Sequence, residues 1–329
     1  MTPIAERQLS IKQKKQEAKF EYIFDNECKE YDWLIVYDDL PSINGERHSM
    51  RKESLACPAE NTIFIMAEPH KVKKYGYSFL DQFGHIVSCH PQKLSPQEKT
   101  IHHIPGLVWY YAHPFYPKTE SEKNLTHDEI LNLESPTKTK LISSVCSAKK
   151  MRKTLHSKRI QFTKNLQKEI PELDVFGLGT NPINDKKDAI DSYKYHLVIE
   201  NTIHENYISE KLTDAFLGLS FPFYIGAPNV SDYFPKNSFL QLDINDTAGS
   251  LKKIKEAIIS QTYEKNIEAI KQAKKMVLDD YNIFTIVEKI ILKKSETINI
   301  QNINNKKNSH VLSRRKFYIE KAINYLSPL

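Results

Sequence analysis

The chain has 329 residues, 40% of them hydrophobic and 10% aromatic, a net charge of +6 and a mean hydropathy of −0.53. That length exceeds what one hydrophobic core usually serves, so two domains are expected. Nine glycines and 16 prolines argue against collagen-like or low-complexity sequence. Cys28, Cys57, Cys89 and Cys146 form no CxxC pair, which argues against a disulfide framework or a cysteine metal site and favours a reducing compartment. Nowhere do 18 apolar residues run together, and the first 22 residues lack the apolar centre of a signal peptide. A cytoplasmic location is therefore expected. The charge is uneven: residues 301–329 carry six Lys and Arg against Glu320 alone, a basic tail on a nearly neutral body.

Along the chain, "WLIVY" (33–37), "TIFIM" (62–66), "HIVS" (85–88) and "LVWYY" (107–111) have the length and the β-branched or aromatic content of strands. The polar, proline-bearing stretch 113–140 reads as the connection between two halves, with a boundary near 140. Beyond it the spacing predicts a strand over 140–147, a helix around 155–169, a strand over 172–177 and a short helix near 185–193. Strands follow at 195–200, 221–225 and 238–242, and from 246 to about 293 the sequence is helical. Strands alternating with helices predict an α/β fold with parallel sheets.

The densest chemistry lies in "YHLVIENTIHENYISEKLTDAF" (195–216). Ser209 is placed to cap a helix whose apolar face is Leu212, Ala215, Phe216 and Leu219. Glu210 and Lys211 then occupy its first turn. A helix start attracts anions, and a lysine there opposes the helix dipole unless an anionic partner such as phosphate is bound. Glu210 suits the dipole and offers oxygens for ribose hydroxyls. Glu200 and Asn201 fall at the end of a strand, where open α/β sheets bind ligands. Taken alone, a solvated Glu–Lys pair accounts for Glu210 and Lys211 equally well, and Asx turns for Glu200 and Asn201.

Residues 192–242 as a whole resemble the donor-binding signature of the α1,3/4-fucosyltransferases, glycosyltransferase family 10, in a bacterial-type form. The resemblance is carried by Tyr193-Lys194-Tyr195, Ile199-Glu200-Asn201, Asn206-Tyr207-Ile208-Ser209-Glu210-Lys211, Pro222 with Gly226, and Ser238-Phe239. It implies a GT-B fold, two Rossmann-like domains facing across a cleft with C-terminal helices. It further implies a donor, GDP-β-L-fucose, held by the C-terminal domain. On this resemblance Glu210 binds the ribose and Lys211 the pyrophosphate, and Tyr193, Lys194, Glu200, Asn201 and Tyr207 line the donor pocket. A weaker match over 156–179 places Arg159 as a second phosphate-facing cation. Leu178 departs from the pattern, because many members carry an arginine after the Phe-Gly that here is Phe176-Gly177. Arg159, Lys194 or a lysine at 186–187 is a candidate to compensate.

Inverting sugar transfer also needs a base for the acceptor hydroxyl, and a carboxylate suits an oxocarbenium-like transition state. Glu68, at the end of the 62–66 strand and before Pro69, resembles the family's proposed base. "IPGLVWYYAHPF" (104–115) resembles the segment that follows in bacterial members. It offers Trp109, Tyr110, Tyr111 and His113 to an acceptor sugar, although such rings equally fill cores. No Asp-x-Asp stands in a metal context, so neither a divalent metal nor another cofactor is expected. "SRRKFYIEKAINYL" (313–326) pairs basic and apolar residues. It suits either an anionic membrane surface or a helix packed back on the body.

The expected organisation is an acceptor-binding domain over 1–140, a GDP-sugar domain over 141–292 and a basic amphipathic tail over 293–329. The expected activity is transfer of L-fucose from GDP-fucose to a GlcNAc- or Glc-type hydroxyl, α1,3 linkage favoured. The acceptor would be an oligosaccharide or lipid-linked glycan of the lipopolysaccharide, O-antigen or capsule class. Peripheral contact with the inner face of the membrane through 313–326, and no nucleic acid, complete the expectation. A different nucleotide-sugar donor on the same fold, and a non-catalytic binder of anionic surfaces, stand as alternatives.

Overall fold

The computed structural model describes residues 3–15, 18–42, 46–116, 124–147, 154–177, 179, 181–297 and 309–326. In chain order the strands are β1 (Leu34–Tyr37), β2 (Lys52–Ser54), β3 (Thr62–Ile65), β4 (His85–Ser88), β5 (Thr100–His102) and β6 (Lys140–Val145). They continue with β7 (Leu173–Phe176), β8 (Tyr193–Ile199), β9 (Phe221–Ile225), β10 (Leu240–Gln241) and β11 (His310–Leu312). The expected α/β class with parallel sheets is what forms. The expected helix around 155–169 is His156–Glu169, and the one near 185–193 is Lys187–Ile190. The long helical stretch is broken into Thr247–Ile259, Thr262–Lys265, Ile267–Asp279 and Ile283–Thr297.

Two compact units result, divided after Pro105 and after Ile286 rather than near 140. One unit contains Phe20–Pro105 and Val287–Leu329; the other contains Pro3–Lys19 and Gly106–Ile286. The polar stretch 113–140 suggested a linker because its few apolar residues are scattered. Two of its residues are nevertheless anchors: Ile130 and His127, on the helix His127–Leu131, are buried, and His127 Nε2 lies 3.2 Å from Asp279 Oδ1.

In the first unit, β1-β3-β4-β5 form a parallel sheet in that order. Phe64 of β3 packs on Tyr75, Phe79 and Phe83, and Val36, Ile86 and Val311 complete this core. Residues 309–326 of the basic tail are part of this unit, whereas 293–329 was expected to form a separate segment. β11 pairs antiparallel with β2, and the buried Ser313 bonds the carbonyls of Arg51 and Ser49. On the helix Arg314–Leu326, Phe317 meets Phe79 edge-on at 5.7 Å, and Tyr318 Oη accepts from Gly76 N at 2.8 Å. A Cβ on Gly76 would lie 2.0 Å from that hydroxyl, so a larger residue there would displace the Tyr318 side chain and its hydrogen bond. Among the described residues no helix is long and apolar enough to cross a membrane.

In the second unit the sheet order is β10-β9-β8-β6-β7, with every pairing parallel. The chain leaves β6 for β7 on one side, then returns across β6 to β8 and continues outward. The order therefore reverses between β6 and β8, and their carboxyl ends form the switch point at which open α/β sheets bind ligands.

"LVWYY" does not become a strand, although its residues favour one. Its backbone finds partners in side chains instead of a neighbouring strand. Arg7 donates to the carbonyls of Trp109 (3.2 Å), Tyr111 (2.5 Å), Ala112 (2.8 Å) and Leu125 (2.7 Å). Asp214 and Asp185 accept from the N–H groups of Tyr110 (3.1 Å) and Ala112 (3.0 Å). With its polar groups satisfied, the segment buries Trp109 and Tyr111 completely. Burial lowers the Arg7 pKa to about 10, against the opposing pull of Asp214 and Asp185.

A second internal cation lies nearby. Lys138 Nζ donates to Gly218 O (2.6 Å), Ile190 O (3.1 Å) and Ser220 Oγ (3.2 Å), and burial lowers its pKa to about 7, with Asp191 opposing. A lysine whose pKa falls on folding carries its full cost well below pH 7, where both states are protonated. That cost shrinks as pH rises towards the unfolded value of about 10.4. Wild type should therefore gain stability relative to Lys138→Met between pH 7 and 9, by about 1–2 kcal/mol. Urea denaturation of both proteins at several pH values measures this, and a constant gap would show that Lys138 does not titrate as described.

Candidate functional site

Apart from the half-buried Lys194, β8 is buried, and it ends at the switch point, where Glu200 and Asn201 follow it. Glu200 is fully buried: it accepts from Ser209 N at 2.8 Å and Ser209 Oγ at 2.6 Å, and Lys211 Nζ lies 3.8 Å away. Burial pushes its carboxyl up, and Lys211 and the Ser209 donors oppose this. Gly226 makes room for the arrangement, since a Cβ there would lie 2.7 Å from Glu200 Cγ. Glu200 thus ties the end of β8 to the start of the next helix. Its oxygens face inward, which corrects its expected place in the lining of a pocket. Tyr207, 2% exposed, is likewise inside.

The loop between strand and helix is held by its own unit. Asn206 adopts a left-handed backbone (φ 61°), a conformation that asparagine tolerates. It exchanges bonds with Asn229 in both directions and accepts from Tyr233 Oη at 2.6 Å. Ser209 then caps the helix Glu210–Leu217, as its position in the sequence predicts, accepting from Lys211 N.

Two cations converge on this helix start. Lys211 Nζ is 3.2 Å from Ser209 Oγ and 3.1 Å from Glu210 Oε1. Burial works against its charge, but Glu210 and Glu200 outweigh burial and raise its pKa. Arg159, in the first turn of His156–Glu169, is 4% exposed and donates Nη1 to Asn201 Oδ1 at 2.8 Å. Its Nε is buried with no hydrogen-bond partner among the described residues. Leu155 N donates to Asn201 O at 2.9 Å, so this helix start also abuts the end of β8.

On the other side of Glu210 lies a pair that sequence reasoning missed. Asp214, 1% exposed and one turn on from Glu210, sits 2.6 Å from Lys186 Nζ, which is also 3.8 Å from Glu210 Oε1. Burial opposes ionisation of Glu210, yet Lys211 and Lys186 together take its pKa down to about 2. Burial pushes the Asp214 carboxyl up, with Lys186 opposing. An acid spaced i+4 from Glu210, set among the apolar Leu212, Ala215 and Phe216, is the signal that was present, but the partner that makes it informative lies 28 residues away.

Several expected residues do not join this group. Tyr193 and Lys194 begin β8, about 20 Å along the strand from its end. Tyr193 donates to Asp174 at 2.6 Å, and Lys194 pairs with Glu264 at 2.5 Å. Both lie at the amino edge of the sheet, the side opposite the switch point. Trp109 and Tyr111 are core residues, Tyr111 donating to Asp191 at 2.8 Å, so burial removes them from any acceptor-facing role. His113 is partly exposed, with Nδ1 2.6 Å from Asn124 Oδ1. Glu68 belongs to the first unit, just past the carboxyl end of β3, and its carbonyl oxygen lies 2.8 Å from His90 Nε2. Leu178 lies outside the described residues.

A parallel sheet of this order, with two cations at helix starts beside its switch point, defines an α/β domain of the phosphate- and nucleotide-binding class. Residues 135–266 match the family model described as "Glycosyltransferase family 10 (fucosyltransferase) C-term". The mouse and human proteins named 4-galactosyl-N-acetylglucosaminide 3-alpha-L-fucosyltransferase 9 are each 34% identical over 168 residues, 49% of this chain and 45% of the relative. The chain thus spans about half the length of the curated relatives it matches. Among solved structures, an α1,3-fucosyltransferase with GDP aligns at 17% identity and a TM-score of 0.43, covering 68% of this chain and 76% of that one. The same enzyme class with GDP-fucose aligns at 18% and 0.43, covering 67% and 76%.

Proposed function

We propose that the protein is an inverting fucosyltransferase of GT-B type, moving L-fucose from GDP-β-L-fucose to a hydroxyl of a GlcNAc- or Glc-type glycan acceptor, with α1,3 linkage. The observation that carries this reading is the helix start at the switch point. There Lys211 lies within electrostatic reach of the buried Arg159, whose Nε has no hydrogen-bond partner among the described residues, in a stretch matching the family's C-terminal domain. Lys211 and Arg159 hold the pyrophosphate, and Glu210, ionised at neutral pH, accepts from the ribose hydroxyls. As the bond from fucose C1 to the β-phosphate oxygen breaks, the electron pair leaves on GDP, where the two cations stabilise it. The acceptor oxygen forms the new bond to C1 from the opposite face, and its proton passes to the carboxylate of Glu68. This division of labour uses no metal. The acceptor is an oligosaccharide or lipid-linked glycan of the lipopolysaccharide, O-antigen or capsule class, reached from the cytoplasm. The exposed Ile319 and Ile323 beside Arg315 and Lys321 support peripheral contact with an anionic membrane.

Donor hydrolysis and transfer with GDP-fucose against other GDP- and UDP-sugars test the reading. Equal use of all donors would sink it and leave the fold with a different donor. Glu68→Gln should lower kcat by about 10²–10⁴-fold while GDP affinity stays as in wild type. Full turnover in that variant would remove Glu68 as the base.

A further inference from the structure

Beside the ribose-facing carboxylate lies a group of rings that the contacts above leave without a role. Tyr110, His113 and Phe115 face one another at centroid distances of 6.1 Å (Tyr110–His113), 5.9 Å (Tyr110–Phe115) and 5.8 Å (His113–Phe115). Their neighbours Trp109 and Tyr111 are core, but Phe115 is 45% exposed and Tyr110 and His113 are partly so. The exposed ring does not hang on an unsupported loop. Phe115 N donates to Asn184 O at 2.9 Å, and Tyr116 and Asn184 exchange bonds of 2.8 and 3.0 Å. The rings are thereby fastened to the connection that leaves β7 at the carboxyl edge of the sheet.

Lys186 links them to the site. Its ammonium lies 5.3 Å from the Tyr110 ring centroid, 2.6 Å from Asp214 and 3.8 Å from Glu210, while the Tyr110 backbone donates to Asp214. Glu210 therefore contacts Lys211 at 3.1 Å and Lys186 at 3.8 Å, and Lys186 carries the chain of contacts on to Tyr110 and, through it, Phe115. Along these contacts the order is cation (Lys211), carboxylate (Glu210) and ring (Tyr110), with Lys186 bridging the last two. A nucleoside diphosphate presents its complement in the same order: phosphate, ribose, base. We propose that Tyr110 and Phe115 form the nucleobase subsite of the donor site, offering a stacking surface to a purine, with Lys186 holding Tyr110 and Glu210 in register. This rests on the donor-site reading above. An acceptor sugar would also favour exposed rings, but only the base is covalently bound to the ribose that Glu210 engages.

Calorimetric titration of the full chain with GDP and with inorganic pyrophosphate tests the proposal. Phe115→Ala, at an exposed position that leaves the core untouched, should weaken GDP binding roughly 5- to 150-fold and leave pyrophosphate binding unchanged. Tyr110→Leu should do the same, and Phe115→Tyr should restore the wild-type ratio. Lys211→Ala should weaken both ligands. If Phe115→Ala and Tyr110→Leu bind GDP like wild type, the subsite is wrong. A rise in acceptor KM alone would give the rings to the acceptor and overturn it equally. If instead Lys211→Ala binds both ligands as wild type does, the donor-site reading fails, a result separable from the first two.

Discussion

Replacing Lys211 with alanine is expected to weaken GDP binding by about 30- to 1,000-fold, equivalent to ~2–4 kcal/mol, measured by titration calorimetry. Part of that loss is the charged contact itself. The rest comes from what remains: Glu200 and Glu210 both lie within 4 Å of the Lys211 ammonium, and without it their charge is offset only by Lys186 and Arg159. The site then repels an anion it is built to hold. Two companion variants separate these contributions. Lys211→Arg keeps the charge and should retain most of the affinity. Adding Glu210→Gln to Lys211→Ala removes one repelling carboxylate and should recover part of the pyrophosphate affinity, but not the ribose contribution. A change of less than threefold in Lys211→Ala would place the phosphates elsewhere.

The largest effect on folding is expected at Arg7. Its guanidinium is the donor for four carbonyls of the 109–125 region and stands near the carboxylates of Asp185 and Asp214. Arg7→Ala strands buried acceptors at ~1–3 kcal/mol each and removes the cation that offsets the buried Asp214 and the half-buried Asp185. A total loss of ~3–5 kcal/mol approaches the whole stability of an ordinary domain. The expected result is a large fall in the urea midpoint, with protease cleavage of the 109–116 segment. Because Tyr110 and Asp214 are held by the same network, Arg7→Lys should fold yet bind GDP more weakly. An Arg7→Ala protein within 1 kcal/mol of wild type would show that the segment finds other donors.

Much of the second unit was legible in advance. The runs at 140–147, 172–177 and 221–225 became strands with ends shifted by two residues or fewer, and Ser209 capped the helix it precedes. The same reasoning failed at "LVWYY", where strand-forming residues were denied a strand by Arg7, a hundred positions upstream. It also failed at Tyr193 and Lys194. Their motif neighbours at 199–211 gather at one end of the sheet, while the length of β8 carries these two to the other. Glu200 shows a third kind of miss: an acid in a ligand-like position whose oxygens turned inward to hold the next helix.

What the sequence by itself determined is therefore local. Residue spacing sets which segments are strands or helices, where the 210–217 helix starts, and that Glu210 and Lys211 stand together in its first turn, because these depend on contacts within about four residues. The tertiary structure decided the strand order that creates the switch point and brought Arg159 to Asn201. It also paired Lys186 with Asp214 and sent Trp109 and Tyr111 inward while leaving Phe115 at the surface. Each of those outcomes depends on a partner tens of residues away. A charged or aromatic side chain has the same composition signature whether it faces a ligand or a core, and only the segment packed across from it settles which.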